Sequence, residues 1–435
     1  MNLSEHILAD LSRLVAIPSV GALPDHASHL RSTADLVAEM LTAVGCPDVQ
    51  VLDQPWAPAV IGRFPAPEGA PTICLYAHHD VQPIGDPEQW TYPPLEVTQV
   101  GDRVFGRGTS DDKGAIAIHL ATLRAFDGHP PVGVTVFVEG EEEIGSPHSE
   151  EFLAAHSDLI RADAFVILDA GNTAVGQPAF TVSLRGVCDA IVEVQTLDHG
   201  VHSGQYGGLV PDALMALSRL LVSLHTDAGD VAIEGLRMAP PFNVDYPSES
   251  LLESSGLLDG VQQVGTGSVT DRLWAKPSLS IIGMDTVSVE QSSNTLLPSA
   301  RARVSVRVPP GMTAHEALDA LEAHLMTHAP WGAHVKVIRG GMGNPGQVPA
   351  DGPLVLQGLA AYQQAFSVPA VLVGMGGAIP LVGELHQLFP DAEFLVTGIA
   401  DPDSRMHAPD ESVSLSDLVR TAQAQIGFLA AVGRS

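Results

Sequence analysis

The sequence predicts an α/β protein in which a mostly parallel sheet is interrupted by an inserted α+β domain. Three short apolar runs, at 72–77, 132–138 and 164–168, have the length and composition of buried strands. Helical patterns at 30–43 and 113–126 alternate with these runs. Such alternation over short links is typical of a parallel sheet covered by helices.

The middle of the chain has a different order, β-α-β-β-α-β, which indicates one sheet covered by two helices. Residues 180–196 alternate between polar and apolar side chains and are predicted to form an antiparallel strand. The remaining elements of this part are predicted at 211–225, 278–285, 300–308, 315–328 and 333–339. A connector rich in Gly and Pro is expected over 340–352.

The α/β pattern resumes after this connector, with predicted elements at 353–366, 370–373, 393–397 and 414–432. At the other end, an amphipathic helix is predicted, with Ser4 as its N-cap. A chain of 435 residues is long enough for two domains. We therefore expect one domain formed by 1–180 and 346–435, and an inserted domain formed by 181–345.

The charge balance excludes some classes of partner. The chain has 21 basic and 51 acidic residues, and its formal net charge is −30. A surface this acidic repels nucleic acid and anionic membranes, so we expect neither as a partner. The chain has only three cysteines and lacks a recognisable signal segment, which favours the reducing cytoplasm.

Five stretches place histidine or acidic residues at predicted strand ends or in the loops beyond them. They contain His78 with Asp80, the pair Asp111 and Asp112, the run Glu141–Glu143, Asp169, and His407 with Glu411. Each has an ordinary reading as a solvated loop, a helix cap or an acidic turn. Because ligands gather at the carboxyl ends of parallel strands, their joint occurrence favours a metal site instead.

Two histidines and three carboxylates suit two zinc ions that share one bridging carboxylate. Calcium and magnesium sites rarely use histidine. The start of the last stretch, Asp401–Asp403, is similar to a calcium loop. However, Met406 and Ser412 stand where that loop needs Gly and Glu, which excludes an EF-hand.

The same stretches resemble a known family. YAHHDVQP, GRGTSDDKG, EGEEEIGS, DHGVHSGQYGG and RMHAPDE occur in the order and spacing of the co-catalytic zinc exopeptidases and deacylases. That family includes carnosinase-like dipeptidases, carboxypeptidase G and aminoacylase. The resemblance extends from Ile17 to Glu411 and implies a zinc-exopeptidase catalytic domain with an inserted lid and dimerisation domain.

The resemblance also implies a role for each site residue. His78 and Asp169 would bind one zinc ion, Glu143 and His407 the other, and Asp111 would bridge the two. The choice of Asp111 over Asp112 as the bridge rests on the resemblance, as does the expectation of a cis peptide between them. Mn²⁺ or Co²⁺ could replace Zn²⁺.

Two acidic residues would support the metal ligands, according to the same resemblance. Glu142 would be the general base, which takes a proton from water and passes it to the leaving nitrogen. Asp80 would orient His78. Both assignments are predictions from the motif positions.

The inserted domain would supply further contacts. His202 would reach the active site of a partner subunit in a homodimer and stabilise the oxyanion. Arg307 would hold the substrate carboxylate, and Asn294 would be a second contact from the lid. Without the resemblance, His202 is an ordinary loop histidine and Arg307 an ordinary surface arginine.

One stretch departs from the family pattern. Peptidases of this kind show Arg-Glu-Gly-Gly-Ser-Ile-Pro near the carboxylate pocket, whereas this chain has GMGGAIP at 374–380. Gly376 and Gly377 would still offer backbone N–H groups to a carboxylate. The departure puts the substrate in doubt more than the metal chemistry.

The sequence therefore predicts a di-zinc hydrolase that cleaves a dipeptide near its free carboxylate. A deacylase acting on N-acyl amino acids by the same mechanism is the alternative. A metal-binding protein without catalysis is a third reading, which Glu142 disfavours because a purely structural site has no use for an unbound carboxylate.

Overall fold

A computed structural model describes residues 2–434 except 243–245, 247, 248, 250, 253, 254, 378 and 379. Its α-helices are α1 (Leu3–Val15), α2 (Ala27–Ala43), α3 (Lys113–Arg124), α4 (Ser149–Ile160), α5 (Ser203–Tyr206), α6 (Ala213–Val222), α7 (Ala314–Thr327), α8 (Pro353–Phe366), α9 (Pro380–Leu388) and α10 (Leu415–Val432). Its strands are β1 (Asp48–Leu52), β2 (Ala59–Phe64), β3 (Thr72–His78), β4 (Thr98–Val100), β5 (Arg103–Phe105), β6 (Gly133–Glu139), β7 (Ala164–Ile167), β8 (Ala179–Leu184), β9 (Gly186–Gln195), β10 (Val201–His202), β11 (Ser278–Asp285), β12 (Thr295–Leu296), β13 (Ser299–Val308), β14 (His334–Gly343), β15 (Gly346–Gln347), β16 (Val371–Met375), β17 (Glu393–Val396) and β18 (Ser412–Ser414).

The largest sheet has the strand order β1-β2-β6-β3-β7-β17. Strands β6, β3, β7 and β17 are parallel neighbours, whereas β1 and β2 pair antiparallel at one edge. Every residue of β6 is buried, because helices cover both faces of this sheet. The prediction of a mostly parallel α/β sheet is confirmed.

Two hydrophobic clusters cover the faces of this sheet. One face packs against α1, α2, α3, α8 and α10. The other packs against α4 and α9. Because α8, α9 and α10 follow the middle part of the chain, the first and last parts of the sequence build one core.

A second sheet has the order β11-β13-β9-β14, and all of its pairs are antiparallel. Buried and less buried residues alternate along β9, and its buried side chains pack against α6 and α7. The chain order of these elements is the predicted β-α-β-β-α-β. The expected connector begins later than predicted, because β14 extends to Gly343 and the short strand β15 follows.

Residues 180–196, predicted as one strand, form two strands that end up in different sheets. Strand β8 pairs with β15 and β16 in a three-stranded sheet, and β9 joins the second large sheet. The break falls at Arg185 and Gly186. A Cβ on Gly186 would lie 2.4 Å from the carbonyl oxygen of Gly343, so only glycine allows the two backbones to approach here.

The predicted N-cap of the first helix is wrong. Asn2 caps α1, accepting a hydrogen bond from the N–H of Glu5 at 2.9 Å, and Ser4 lies inside the helix. Asn2 is the better cap because the side chain of Glu5, three residues on, accepts a hydrogen bond from the N–H of Asn2 and completes a capping box. Within the described ranges, the helices fall short of the length and hydropathy needed to cross a bilayer.

Candidate metal centre

Predicted site residues from several strands meet at the carboxyl edge of the large sheet. His78 is the last residue of β3, and Asp169 lies two residues beyond β7. Glu142 and Glu143 lie in a short 3-10 turn that follows β6. Because β6, β3 and β7 are parallel neighbours, their carboxyl ends place these side chains at one edge.

The five predicted ligands form two groups that share Asp111. One group consists of His78, Asp111 and Asp169, and the other of Asp111, Glu143 and His407. Within each group, the candidate ligand atoms lie within 4.8 Å of one another.

Asp111 directs one carboxylate oxygen towards each group. Its Oδ1 lies 3.0 Å from Nε2 of His78, and its Oδ2 lies 2.9 Å from Nε2 of His407. Nε2 of His407 also lies 3.3 Å from Oε2 of Glu143. This arrangement suits a carboxylate that bridges two cations.

The donor set fits divalent metal ions. Imidazole and carboxylate together are ligands of zinc, and of similar transition metals. Burial, followed by the charge of Glu142, raises the pKa of Asp169 well above its usual range. Burial likewise raises the pKa of Glu142 to about 8. Bound cations would offset this electrostatic cost of burying several carboxylates together.

Asp80 connects His78 to the turn that carries the glutamates. Nδ1 of His78 lies 3.0 Å from the backbone oxygen of Asp80 and 3.3 Å from its Oδ1. The Asp80 carboxylate also accepts hydrogen bonds from the N–H groups of Glu142 at 3.3 Å and Glu143 at 3.0 Å. One buried carboxylate therefore positions both a histidine and the acidic turn.

The loop that carries Asp111 wraps around the carboxylate of Glu411. This carboxylate accepts hydrogen bonds from the N–H groups of Gly108 at 2.9 Å, Ser110 at 2.9 Å and Asp111 at 3.2 Å. It also pairs with Arg107 at 2.7 Å, whose guanidinium group is almost fully buried. Glu411 thus fixes the backbone immediately before the bridging residue.

Asp112 does not cap α3 with its side chain, although a helix cap is the ordinary reading of an acidic residue at a helix start. The peptide bond between Asp111 and Asp112 is cis, in agreement with the expectation. Asp112 stands at the N-cap position of α3, but its side chain bonds no N–H of the first turn. Instead, its Oδ2 accepts the N–H of His78, the last residue of β3, at 3.3 Å.

The loop that carries His407 is bent by left-handed backbone conformations. Arg405, His407 and Asp410 have φ values of 53°, 65° and 61°, which are uncommon for residues other than glycine. The carboxylate of Asp410 holds the loop by accepting hydrogen bonds at 2.7 Å from both the N–H and the hydroxyl of Thr91.

The predicted lid residues lie apart from this cluster within one chain. His202 is exposed, and its Nδ1 accepts the N–H of Gly204 at 3.0 Å. The backbone oxygen of Asn294 accepts the N–H of Ser203 at 2.9 Å, so Asn294 is next to His202. Arg307 is half-buried on β13. In the described part of the chain, no hydrogen bond or ion pair joins these three side chains to the five ligands.

The stretch 374–380 ends β16 and leads into α9. Ala378 and Ile379 lie outside the described residues. Gly376 accepts a hydrogen bond from Nε of Arg185 at 3.2 Å. A Cβ on Gly374 would lie 2.6 Å from the Cβ of Trp274, so the buried indole closes the position where the family pattern has arginine.

The comparisons with known proteins agree with this geometry. Residues 74–431 match the model of peptidase family M20/M25/M40. The chain belongs to the M20 peptidase family. A cysteinylglycine-S-conjugate dipeptidase of Corynebacterium striatum is 36% identical, with 99% of this chain and 96% of that protein aligned. A Beta-Ala-His dipeptidase of Rattus norvegicus is 28% identical over 85% of this chain and 78% of its own.

Solved structures share the complete M20 fold. Human carnosine dipeptidase 1 has a TM-score of 0.83 at 22% identity, covering 99% of this chain and 97% of its own. The dipeptidase Dug1p from Saccharomyces cerevisiae also has a TM-score of 0.83, at 20% identity, covering 100% of this chain and 98% of its own. At these identities the likeness shows the fold alone, and it covers both sheets.

Some residues that support the M20 centre were given no role from the sequence. Gln82 donates a hydrogen bond at 2.7 Å to Oε2 of Glu143, and Arg107 supports Glu411. Both lie within stretches that the resemblance had singled out, which was the available signal. Arg185, in contrast, lies outside them, and its position depends on the break between two sheets.

The buried pair of Glu411 and Arg107 leads to a first prediction. Glu411→Gln should lower the metal content and reduce the free energy of unfolding by about 3 kcal/mol, because it leaves a buried guanidinium uncompensated. Metal analysis and chemical denaturation would measure the two effects. The control is Glu39→Gln on the surface of α2, which should change stability by less than about 0.5 kcal/mol. A Glu411→Gln protein with unchanged metal content would contradict the assigned role.

Proposed function

We propose that this M20 peptidase is a metal-dependent dipeptidase that holds two Zn²⁺ ions in each subunit. The observation that carries the proposal is the pair of ligand groups sharing Asp111, with the carboxyl group of Glu142 beside them. The dipeptidase names of the relatives support peptide substrates over N-acyl amino acids. Mn²⁺ or Co²⁺ in place of Zn²⁺ would use the same donors.

His78, Asp111 and Asp169 would hold one ion, and Asp111, Glu143 and His407 the other. When bound, such ions lower the pKa of coordinated water and polarise the carbonyl group under attack. Asp80 keeps the imidazole of His78 in a fixed orientation by contact with its Nδ1. Gln82 limits the rotation of Glu143 through its hydrogen bond to Oε2.

Glu142 is the proposed general base. Its N–H is held by Asp80, but its carboxyl group makes no hydrogen bond to the described residues, so it is available to exchange a proton. It would accept a proton from the attacking water and deliver it to the leaving nitrogen. The same group would therefore act as base in the first step and as acid in the second.

The inserted part of the chain would bind the rest of the substrate. We propose that 181–345 form a lid domain, and that 1–180 with 346–435 form the catalytic domain. Arg307 would bind the substrate carboxylate, with Asn294 as a second lid contact. The backbone N–H groups of Gly376 and Gly377 would complete the carboxylate site.

The lid would also form a homodimer. A groove of about 1010 Å³ next to His202 is lined by segments 207–215 and 292–297 and by Trp331. Leu209 at its edge is 80% exposed and Trp331 is 60% exposed, which is unusual for large apolar side chains on a monomer surface. Dimerisation here would cover these side chains and allow His202 to enter the partner's active site as an oxyanion donor.

The proposed location is the cytoplasm. Cys46, Cys74 and Cys188 are all free and buried. Three unpaired thiols are compatible with a reducing compartment.

The substrate class can be tested directly. The zinc-loaded protein should hydrolyse dipeptides, including Cys-Gly and β-Ala-His, faster than N-acyl amino acids. Release of free amino acid measures both reactions, and protein treated with a chelator is the blank. Hydrolysis of N-acyl amino acids alone would replace the dipeptidase proposal with the deacylase. Hydrolysis of neither would leave the non-catalytic metal-binding reading.

The base assignment gives a further prediction. Glu142→Gln should retain both metal ions and lower kcat by at least about 100-fold, because the amide cannot accept the proton. Turnover and metal content should be measured on the same sample. Glu151→Gln, on the exposed side of α4, is the matched control and should keep normal turnover. Normal turnover of Glu142→Gln would assign the base elsewhere.

The shared active site predicts complementation between two inactive proteins. His202→Ala should retain metal and lose about 100-fold in kcat, as expected when an oxyanion donor is removed. Mixing it with Glu142→Gln under conditions of subunit exchange should restore activity, because some mixed dimers contain one intact site. The nearby, exposed His199→Ala is the control. Sedimentation checks the dimer, and exchange without restored activity would contradict the shared site.

A further inference from the structure

Arg185 is a buried arginine that forms no ion pair with the acidic residues of the described ranges. Its side chain is 7% exposed and lies at the break between β8 and β9, where the two sheets meet. Buried guanidinium groups are normally paired with carboxylates, because removing the charge from water costs several kcal/mol. The hydrogen bonds of this side chain go instead to neutral oxygens. Nε donates to the backbone oxygen of Gly376 at 3.2 Å. Nη1 donates to the backbone oxygen of Lys276 at 3.3 Å and to the hydroxyl of Ser278 at 3.1 Å.

A second arginine lies beside it. Arg307 stands opposite Ser278 in the ladder between β13 and β11, and Ser278 is the residue that binds Arg185. Burial and then the charge of Arg307 lower the pKa of Arg185 to about 10. Neither guanidinium group forms an ion pair with an acidic residue in the described ranges. Two cations held together in this way repel each other unless an anion binds between them.

Other arginines on the same strand do have acidic partners. Arg301 pairs with Asp285, and Arg303 pairs with Asp189 at 2.8 Å. All three arginines of β13 point to the same side, since they are two and four residues apart along the strand. Among the arginines of β13, the one without an acidic partner in the described ranges is therefore at the end that pairs with the start of β9.

The free nitrogen of Arg185 faces the glycine stretch. A Cβ on Gly376 would lie 3.0 Å from Nη2 of Arg185, and Nη2 donates no hydrogen bond to the described residues. The other two nitrogens are fixed by their backbone and hydroxyl acceptors. A guanidinium group held rigidly in this way loses little entropy when it binds a ligand.

We infer that Arg185 binds the free carboxylate of the peptide substrate together with Arg307. In this arrangement Nη2 of Arg185, the Arg307 guanidinium and the backbone at Gly376 surround one planar anion. The inference rests on the proposed function and adds a residue that determines specificity. It assigns to Arg185 a direct contact with the substrate. In a purely structural role, Arg185 would only link Gly376 to Ser278 through its hydrogen bonds.

A comparison of acid and amide substrates separates these two roles. The holoenzyme and its Arg185→Gln variant should each be assayed with a dipeptide and with the same dipeptide as its C-terminal amide. Loss of a charged hydrogen bond should lower kcat/KM for the acid by at least about tenfold. The amide lacks the carboxylate, so its kcat/KM should change by much less. Arg301→Gln, on β13 with Arg307 but paired with Asp285, is the matched control and should leave both substrates unaffected.

Equal losses for the acid and the amide would overturn the inference and leave Arg185 with a structural role. If Arg185→Gln fails to give a cooperative melting transition, Arg185→Lys replaces it. Lysine keeps the charge but lacks the planar guanidinium group. The ratio of kcat/KM for the acid to kcat/KM for the amide should therefore also fall, by a smaller factor than in Arg185→Gln. An unchanged ratio in the variant that folds would also overturn the inference.

Binding measurements keep the test independent of turnover. Calorimetry on metal-loaded Glu142→Gln should show the dipeptide binding more tightly than its amide, and adding Arg185→Gln should remove the difference. If wild-type protein hydrolyses no peptide, the proposed function fails, yet this titration still decides whether the two arginines hold a carboxylate. Equal binding of acid and amide to Glu142→Gln would overturn the inference alone.

Discussion

The buried carboxylate of Glu411 is the contact on which the metal centre depends. It accepts the backbone N–H groups of the loop before Asp111 and pairs with Arg107, although 300 residues separate it from that loop. This contact joins the first part of the α/β domain to the last part, across the whole inserted segment. His407 lies four residues before Glu411, so the same connection brings it to Asp111. A local change at Glu411 would therefore affect both ligand groups.

The electrostatics of the cluster follow from its burial. Three ligand carboxylates and the free carboxyl of Glu142 lie at the carboxyl edge of a sheet whose strands are buried on both faces. Without cations, burial opposes ionisation and raises the pKa values of Asp169 and Glu142. Histidines close to Asp111 act in the opposite direction: despite burial, hydrogen bonds from His407 and His78 keep the pKa of Asp111 below its usual range. The carboxylate whose ionised form is favoured is thus the one that belongs to both candidate ligand groups.

The junction between the three-stranded sheet and the second large sheet contains the proposed carboxylate site. Arg185 leaves β8, contacts the glycine stretch after β16, and bonds to Ser278 at the start of β11. Gly186 then allows β9 to pass close to Gly343. Movement of the second sheet relative to the three-stranded sheet would have to change these contacts. The proposed carboxylate site is therefore built where the two sheets share backbone and side-chain bonds.

The sequence alone predicted the α/β class, the β-α-β-β-α-β order and the five residues that the fold brings together in two candidate ligand groups. Apolar runs and period-two patterns depend on local burial, so they can be read from neighbouring residues. The motifs are likewise recognised from the order and spacing of their residues along the chain, which is why His78 and Glu143 could be named.

Tertiary structure decided the features that depend on distant contacts. Asn2 rather than Ser4 caps α1, and Asp112 turns towards His78 instead of capping α3. The stretch 180–196 divides at Arg185 because β8 and β9 pair with strands of two different sheets. Those partner strands are distant in sequence, so no local pattern shows the division. The neighbours of Arg185 come from segments roughly 90 and 190 residues away, so only the folded chain shows a buried arginine without an acid.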